Sequence, residues 1–97
     1  MTTLELQFGG GLEALFSHKK QMEVRVPDES VRTIKDLIEY IRTTLIRERH
    51  DMFISQGTLR PGILVLVNDV DWELVDAREY VLKEGDHISF ISTLHGG

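Results

Sequence analysis

The sequence predicts an α+β domain in which a mixed β-sheet packs against one long helix. Apolar and polar residues alternate in the stretches near both ends of the chain, which is typical of strands with one buried face. Between them, an apolar stripe of helical period runs from Ile34 to Leu45. Strands that flank a single long helix favour the α+β class.

The amino-terminal third predicts two strands and a connecting loop. Leu4, Leu6 and Phe8 share one face of the first strand, and the stretch QMEVRV repeats this alternation. The connection FGGGLEALFSHKK is too long for a two-residue turn, but it carries the glycines that longer hairpin loops use. The glycines at 9–11 lack the spacing of a phosphate-binding loop, so we interpret them as part of a hairpin connection.

The central third predicts the helix. Its apolar stripe falls at i, i+3, i+4, i+7 and i+11, on Ile34, Leu37, Ile38, Ile41 and Leu45. Thr33 is placed to be the N-cap, and Asp36 three residues later resembles the partner in a capping box. We expect Arg47 and Arg49 to lie near the far end of the helix, where positive charge interacts favourably with the helix dipole.

The carboxyl-terminal half predicts further strands. The stretch RPG at 60–62 marks a turn, and ILVLV after it is apolar on both faces, as in a buried central strand. Asn68 and Asp69 are expected to end that strand. Residues 72–75 predict a short strand, KEGD at 83–86 a turn, and HISFIS at 87–92 a last strand.

The composition limits the classes of function. A chain of 97 residues fits one domain, and the absence of cysteine excludes disulfides and a cysteine nucleophile. We expect a cytoplasmic protein, which could also be nuclear, because no signal peptide or membrane-length apolar run is visible. The net charge of −5 disfavours direct contact with nucleic acid and favours a basic protein partner.

The last seven residues, ISTLHGG, raise a separate expectation. If the last strand ends near Ser92, residues 93–97 can extend roughly 16–18 Å beyond it. Glycines without a Cβ can pass through a narrow channel and bring the Gly97 carboxylate to a catalytic centre. A carboxylate must be activated, for instance as an acyl-adenylate, before sulfur or an amine can attack it. We therefore predict a domain at 1–92 and a di-glycine tail at 93–97.

Three stretches carry a resemblance to a known family: FGGG at 8–11, RPGILVLVNDVDWEL at 60–74 and GDHISFISTLHGG at 85–97. The chain resembles the eukaryotic ubiquitin-related modifier family, the sulfur-carrier branch of the β-grasp ubiquitin-like superfamily. STLHGG after a GD-x-I-x-F strand is specific to that family. The resemblance implies a β-grasp fold, with a mixed sheet of four to five strands packed on one main helix and a flexible carboxyl-terminal tail.

The resemblance also implies a mechanism centred on Gly97. An E1-like enzyme with sulfurtransferase (rhodanese) activity would use ATP to adenylate this residue and convert it to a thiocarboxylate. A tRNA thiolation complex would then use the sulfur for 2-thiolation of the wobble uridine. The same terminus could be conjugated to lysines of target proteins. The chain would be a co-substrate without catalytic residues, a bound cofactor or metal, or direct contact with nucleic acid or membrane.

The resemblance implies that the activating enzyme also contacts the rest of the tail. The residues presented to it would be Thr93, Leu94, His95 and Gly96. Leu94 would be an exposed apolar side chain suited to a pocket of the partner. His95 either contacts the activating enzyme or has a passive role.

Other candidate residues favour structural interpretations. Asp69, Asp71 and Glu73 alternate without the glycine and distal glutamate of an EF-hand, so we expect a solvated strand edge. Trp72 is expected in or beside the core. The histidines lack metal-ligand spacing and are expected at the surface: His18, His50, His87 and His95.

Two alternative functions remain open. A non-covalent ubiquitin-like interaction domain would share the fold and carry an incidental tail. A sulfur-carrier subunit of a cofactor synthase would share the thiocarboxylate, but the bacterial proteins of that kind tend to have a proline-containing segment before Gly-Gly. An autonomous enzyme is disfavoured because no nucleophile or acid–base pair stands out.

Overall fold

The computed structural model describes residues 1–93. Within them the strands are β1 (Thr2–Gly9), β2 (Gln21–Val26), β3 (Ile54–Ser55), β4 (Thr58–Leu59), β5 (Ile63–Val67), β6 (Val70–Asp71) and β7 (His87–Ser92). Helix α1 (Ile34–Tyr40) continues as a π-helical turn (Ile41–Leu45). Short 3₁₀ helices lie at Leu12–Phe16, His50–Met52, Trp72–Val75 and Ala77–Glu79. In this part of the chain, no helix combines the length and hydropathy that crossing a membrane requires.

Five strands form one mixed sheet in the order β2-β1-β7-β5-β6. Strands β1 and β7 are parallel, and the other neighbours are antiparallel. The first and last long strands of the chain are therefore adjacent at the centre of the sheet. Strands β3 and β4 form a separate two-stranded ribbon. The prediction of a mixed sheet with one main helix is confirmed.

The core lies between the sheet and the helix. Leu4, Leu6 and Phe8 of β1 are at most 1% exposed, which confirms the alternation predicted for this strand. The ring of Phe8 stacks on Phe16 of the connection and on Phe90 of β7, with centroids 3.7 and 5.9 Å apart. Full burial of such side chains contributes about 1.5–3 kcal/mol each, so this cluster joins β1, β7 and their connection.

The capping box at the start of the helix is confirmed. The Asp36 backbone N–H donates to Thr33 Oγ1 over 3.3 Å, and the Thr33 N–H donates to Asp36 Oδ2 over 3.1 Å. The helical segment ends at Leu45, and the chain becomes extended at Ile46. Arg47 and Arg49 follow directly, so they lie near the far end of the helix as predicted, although beyond its last turn. Their interaction with the helix dipole stays a prediction.

The predicted turns are confirmed. Asn68 and Asp69 have φ of 51° and 70° and form a two-residue connection in which Val67 pairs with Val70. Two positive φ values match the turn types whose twist suits a β-hairpin, and Asn and Asp tolerate them well. Strand β5 therefore ends where the sequence predicts.

Two strand predictions are wrong. The stretch ILVLV is not a central strand, because only the two-residue β6 lies beyond β5. The helix covers one face of the sheet, and Leu64 on the other face is 36% exposed. Residues 72–75 form a 3₁₀ helix rather than a strand. The cause is local, since the Asp71 carboxylate accepts a hydrogen bond from the Glu73 N–H over 2.9 Å and caps the helix.

Candidate functional site

The end of β7 lies in the middle of the sheet, with a partner strand on each side. Gly9 of β1 is paired with Ile91, and Ile63 of β5 is paired with Ser92. Ladder pairing therefore holds the chain in place up to the last residue of the strand. The predicted strand end near Ser92 is confirmed.

Thr93, the first residue of the predicted tail, is exposed but still attached to the sheet. Its backbone N–H donates to the carbonyl oxygen of Gly62 over 2.9 Å, and its hydroxyl donates to the same oxygen. The other predicted tail residues lie outside the part of the chain that the structure describes: Leu94, His95, Gly96 and Gly97. Four residues span at most about 13–14 Å when extended, so the attachment at Thr93 shortens the expected reach.

Gly10 is the point at which the connection after β1 approaches the end of β7. Its φ is 66°, a left-handed conformation that costs a residue with a Cβ about 1 kcal/mol. A Cβ built on Gly10 would lie 2.0 Å from the carbonyl oxygen of Ser92, far inside van der Waals contact. Gly11 is also left-handed, but a Cβ there would meet no atom within 4 Å. Of these two glycines, it is Gly10 whose missing side chain lets the connection approach the backbone of Ser92.

The outer face of the sheet is apolar beside this base. Ile91 is half-buried and is paired with Leu64 of β5, which is exposed on the same face. On its other side Ile91 is paired with Gly9, which has no side chain to cover it. An exposed apolar surface next to the point where the tail leaves the sheet is suited to contact with a protein partner.

The start of β7 is held by a buried carboxylate that sequence reasoning did not identify. Asp86 is 6% exposed and accepts hydrogen bonds from the Tyr80 hydroxyl, the Asn68 side-chain amide and the Lys83 backbone N–H, over 2.8, 3.0 and 2.9 Å. Burial, together with the hydrogen bond to the negatively charged Asp86 carboxylate, raises the pKa of Tyr80 to about 12. The GD pair before HISFIS is the signal in the sequence for this residue, but on its own it predicts only a turn.

The histidines do not form a metal site in residues 1–93. His18 and His50 are exposed, as predicted, while His87 is half-buried with its Nε2 2.9 Å from Gln7 Oε1. His95 lies outside the described residues. In the described part of the chain, no three His, Cys, Asp or Glu side chains are arranged to bind a metal.

The remaining candidates have structural roles. Trp72 is half-buried against the core, which confirms the prediction of a position in or beside it. Asp69, Asp71 and Glu73 are exposed, but they span a turn and a helix start rather than one continuous strand edge. The site is therefore the base of the tail, where the sheet can present a chain end to a partner.

The chain matches a known family over almost its whole length. A sequence model described as Urm1 (Ubiquitin related modifier) matches residues 3–97. "Ubiquitin-related modifier 1 homolog 2" of Arabidopsis thaliana is 50% identical, and the alignment covers 95% of this chain and 96% of that protein. "Ubiquitin-related modifier 1" of Coprinopsis cinerea is 45% identical, with 97% of this chain and 91% of that protein covered.

Solved structures agree with these relatives. The solution structure of Urm1 from Trypanosoma brucei has a TM-score of 0.82 and 41% identity, covering 99% of this chain and 96% of that one. The crystal structure of SAMP1 from Haloferax volcanii has a TM-score of 0.74 and 19% identity, covering 98% and 99%. The second likeness concerns the fold alone. Together they confirm the predicted β-grasp, ubiquitin-like architecture.

Proposed function

Because this chain belongs to the ubiquitin-related modifier family, we propose that Gly97 is the residue on which its activating enzyme acts. Members of the family are ubiquitin-like modifiers and sulfur carriers, and a separate E1-like enzyme activates them. The chain is therefore a co-substrate rather than a catalyst. The family resemblance carried by the sequence is confirmed.

The chemistry proposed at Gly97 has three steps. The carboxylate attacks the α-phosphate of ATP, releases pyrophosphate and becomes an acyl-adenylate. A persulfide on the activating enzyme then attacks the acyl carbon and displaces AMP, which leaves an acyl disulfide. A thiol of that enzyme cleaves the S–S bond by thiol–disulfide exchange, giving the thiocarboxylate and an enzyme disulfide. ATP is used by the partner, and the thiocarboxylate is the modification that the chain carries.

The observation that carries the proposal is the arrangement at the end of β7. The strand is fixed between two neighbours up to Ser92, and Thr93 is exposed while it remains bound to Gly62. Residues 94–97 therefore start from a defined point on the surface. A fixed start lowers the conformational entropy that the activating enzyme must remove when it aligns the carboxylate.

The proposed contacts of the activating enzyme extend along the whole tail. Thr93 forms its base, Leu94 enters an apolar pocket of the partner, and Gly96 permits a narrow channel. His95 either contacts the enzyme or is passive. The half-buried Ile91 and the exposed Leu64 provide apolar surface beside this path.

The proposed acceptors of the sulfur and of the activated terminus are those that the family resemblance implies. A tRNA thiolation complex uses the sulfur for 2-thiolation of wobble uridine, and lysines of target proteins attack the activated Gly97 to form isopeptide bonds. For these processes we propose a location in the cytoplasm, with the nucleus as a second location. The net charge of −5 supports indirect action on tRNA, because a polyanion is repelled.

The proposal is tested by changing only the terminus. We expect deletion of Gly97, or addition of one alanine after it, to abolish ATP–pyrophosphate exchange by the cognate activating enzyme. Fragmentation mass spectrometry of the protein from its own cells should place a sulfur-for-oxygen replacement at Gly97, since total mass alone is mimicked by oxidation.

The matched control is Leu74→Ser, which replaces a side chain that is 78% exposed and lies outside the tail. It should support exchange at the wild-type rate. Full exchange activity of the Gly97 deletion, with its circular dichroism unchanged, would refute the proposal.

A further inference from the structure

A groove of about 610 Å³ lies between the connection that follows β1 and the segment that follows the helix. Four of its apolar side chains are half-buried and come from four separate elements: Leu15, Met22, Leu45 and Met52. Phe16 also lines the groove but is buried. Methionine side chains are flexible and polarisable, and they adapt to apolar groups of different shape. We call this surface the basic groove because of the charges around it.

The rim of the basic groove is positively charged although the chain is acidic. Lys19, Arg47 and Arg49 line it and are exposed, and Glu48 is the acidic residue among the lining side chains. In the described part of the chain, none of these three cations forms an ion pair within 4 Å, since the pairs there join Met1 to Asp28 and Arg42 to Glu39. Among the described residues that line the groove, the three cations therefore outnumber the single carboxylate of Glu48.

Glu13 lies in the connection beside the groove, and its carboxylate interacts electrostatically with Lys20 and His18. The carboxylate of Glu13 accepts a hydrogen bond from the Gly11 N–H over 2.8 Å and is directed toward the backbone. His18 also lines the groove and is exposed. The local excess of cations contrasts with the net charge of −5 for the whole chain.

The backbone around the groove has unusual conformations. Ser17, His18 and Arg49 have φ of 58°, 62° and 57°, which residues other than glycine seldom adopt. The connection is nevertheless held by the stack of Phe16 on Phe8 and by the bond from the Phe8 N–H to the Lys20 carbonyl, over 2.8 Å. The groove is thus attached to the carboxyl-terminal end of β1, on the side of the sheet from which the tail also leaves.

We propose that the basic groove binds an acidic segment of a protein partner that inserts aliphatic side chains between Leu15, Met22 and Met52. Carboxylates of the segment would pair with Lys19, Arg47 and Arg49, and its apolar residues would cover the half-buried floor. This interaction goes beyond the proposed function, because it does not involve Gly97.

A nucleic acid fits the groove less well. Backbone recognition needs many cations, and bases stack on aromatic rings. Within residues 1–93 the rim has three cations from Lys and Arg without an ion pair, and the half-buried side chains of the floor are aliphatic or thioether. The one aromatic ring among the lining residues, that of Phe16, is buried and already stacked on Phe8. The net charge of −5 also repels a polyanion at long range.

The test uses the full chain and a short synthetic peptide rich in glutamate that carries leucines. In calorimetry at low salt we expect binding, with shifts of the Met22 and Met52 methyl signals in NMR spectra. The double variant Arg47→Glu/Arg49→Glu should weaken binding at least about tenfold, in line with lost charge pairs. The matched control Arg25→Glu/Lys83→Glu changes the net charge equally at exposed positions outside the groove and should stay within about twofold.

Three comparison ligands decide between the components of the interaction. A peptide with glutamine for glutamate and one with serine for leucine should each bind more weakly than the parent. A single-stranded oligothymidylate should not compete. The proposal would be overturned if the parent peptide did not bind. It would also be overturned if the glutamine peptide bound as tightly as the parent, if the charge-reversed variant bound the parent as tightly as the wild type does, or if the oligonucleotide competed effectively. Adenylation of Gly97 is assayed separately, so failure of one proposal is distinguishable from failure of the other.

Discussion

The two ends of β7 are held in place by different means. At its start, the buried carboxylate of Asp86 collects three hydrogen bonds and fixes the strand through side chains. At its end, Ser92 is held by ladder pairing and Thr93 by two hydrogen bonds to the Gly62 carbonyl, and close packing depends on the missing side chain of Gly10. The start of the strand is held by a buried polar side chain, while the end reaches an exposed residue and packs against a glycine that has no side chain.

This difference suggests that the start of β7 mainly determines the stability of the fold, while its end determines how the tail is presented to the activating enzyme. A buried hydrogen-bonded carboxylate is costly to remove, because each partner is left without a hydrogen bond. A backbone contact at the surface costs little to break, but it decides the direction in which the following residues leave the sheet. We therefore expect substitutions at the start of β7 to change unfolding, and substitutions at its end to change activation.

The largest expected effect is that of Asp86→Ala. It leaves the Tyr80 hydroxyl, the Asn68 amide and the Lys83 N–H without their acceptor, and we expect the free energy of unfolding to fall by about 3 kcal/mol. Urea denaturation measures this change. The control Glu29→Ala removes an exposed carboxylate and should change it by less than about 0.5 kcal/mol. Equal midpoints for the two variants would contradict the role of Asp86.

The next largest effect is expected from Gly10→Ala. Both Gly10→Ala and Gly11→Ala place an alanine in a left-handed conformation, which costs about 1 kcal/mol. Gly10→Ala also forces the new Cβ against the carbonyl oxygen of Ser92, so we expect its free energy of unfolding to fall by about 2 kcal/mol in all. The decisive measurement is kcat/KM for adenylation, which should fall for Gly10→Ala and stay near wild type for Gly11→Ala. Equal kcat/KM values for the two variants would contradict the role of Gly10 in positioning the tail.

A smaller effect is expected from Thr93→Val. The change keeps the β-branched shape and the backbone hydrogen bond but removes the hydroxyl that donates to Gly62. We expect the stability to fall by about 0.5 kcal/mol and adenylation to slow by a factor of roughly two. Thr93→Ser, which retains the hydroxyl, should recover the wild-type rate. Failure of serine to do so would show that the hydroxyl is not the relevant group.

The smallest effect at neutral pH concerns Tyr80, whose phenol is protonated there in both states. Its pKa is about 12 in the folded chain against an ordinary value of 10.0. The folded state therefore binds more protons between these two values, so this contribution to stability is intact below pH 10 and is lost as the pH rises toward 12. In a Tyr40→Phe variant, phenolate absorbance should titrate near the upper value. A transition near 10 with the fold intact would contradict the buried contact to Asp86.

The sequence predicted features that depend on neighbours along the chain. The alternation of Leu4, Leu6 and Phe8 marked the buried face of β1, and Thr33 with Asp36 marked the start of the helix. Asn68 and Asp69 marked a turn for the same reason, because their side chains tolerate positive φ. The family resemblance and the fold class are confirmed as well.

Features that depend on distant neighbours were not predictable from the same patterns. The apolar run ILVLV suggested a central strand, but its place in the sheet follows from pairing with β7, which only the folded chain defines. The sequence FGGG does not show that Gly10, rather than Gly11, meets Ser92. The assignment of Gly97 as the activated residue stays a prediction, because the tail beyond Thr93 lies outside the described residues.

The parallel pairing of β1 with β7 has a mechanical consequence. The register runs over five pairs, from Glu5 with His87 to Gly9 with Ile91, and both strands point the same way. Once a conjugate is attached at the tail, a force that draws the two ends of the chain apart would load all these bonds together along the strand axis. Shear of this kind must break all the hydrogen bonds between β1 and β7 at once rather than one after another. The domain should therefore resist mechanical unfolding by an enzyme that pulls on the chain.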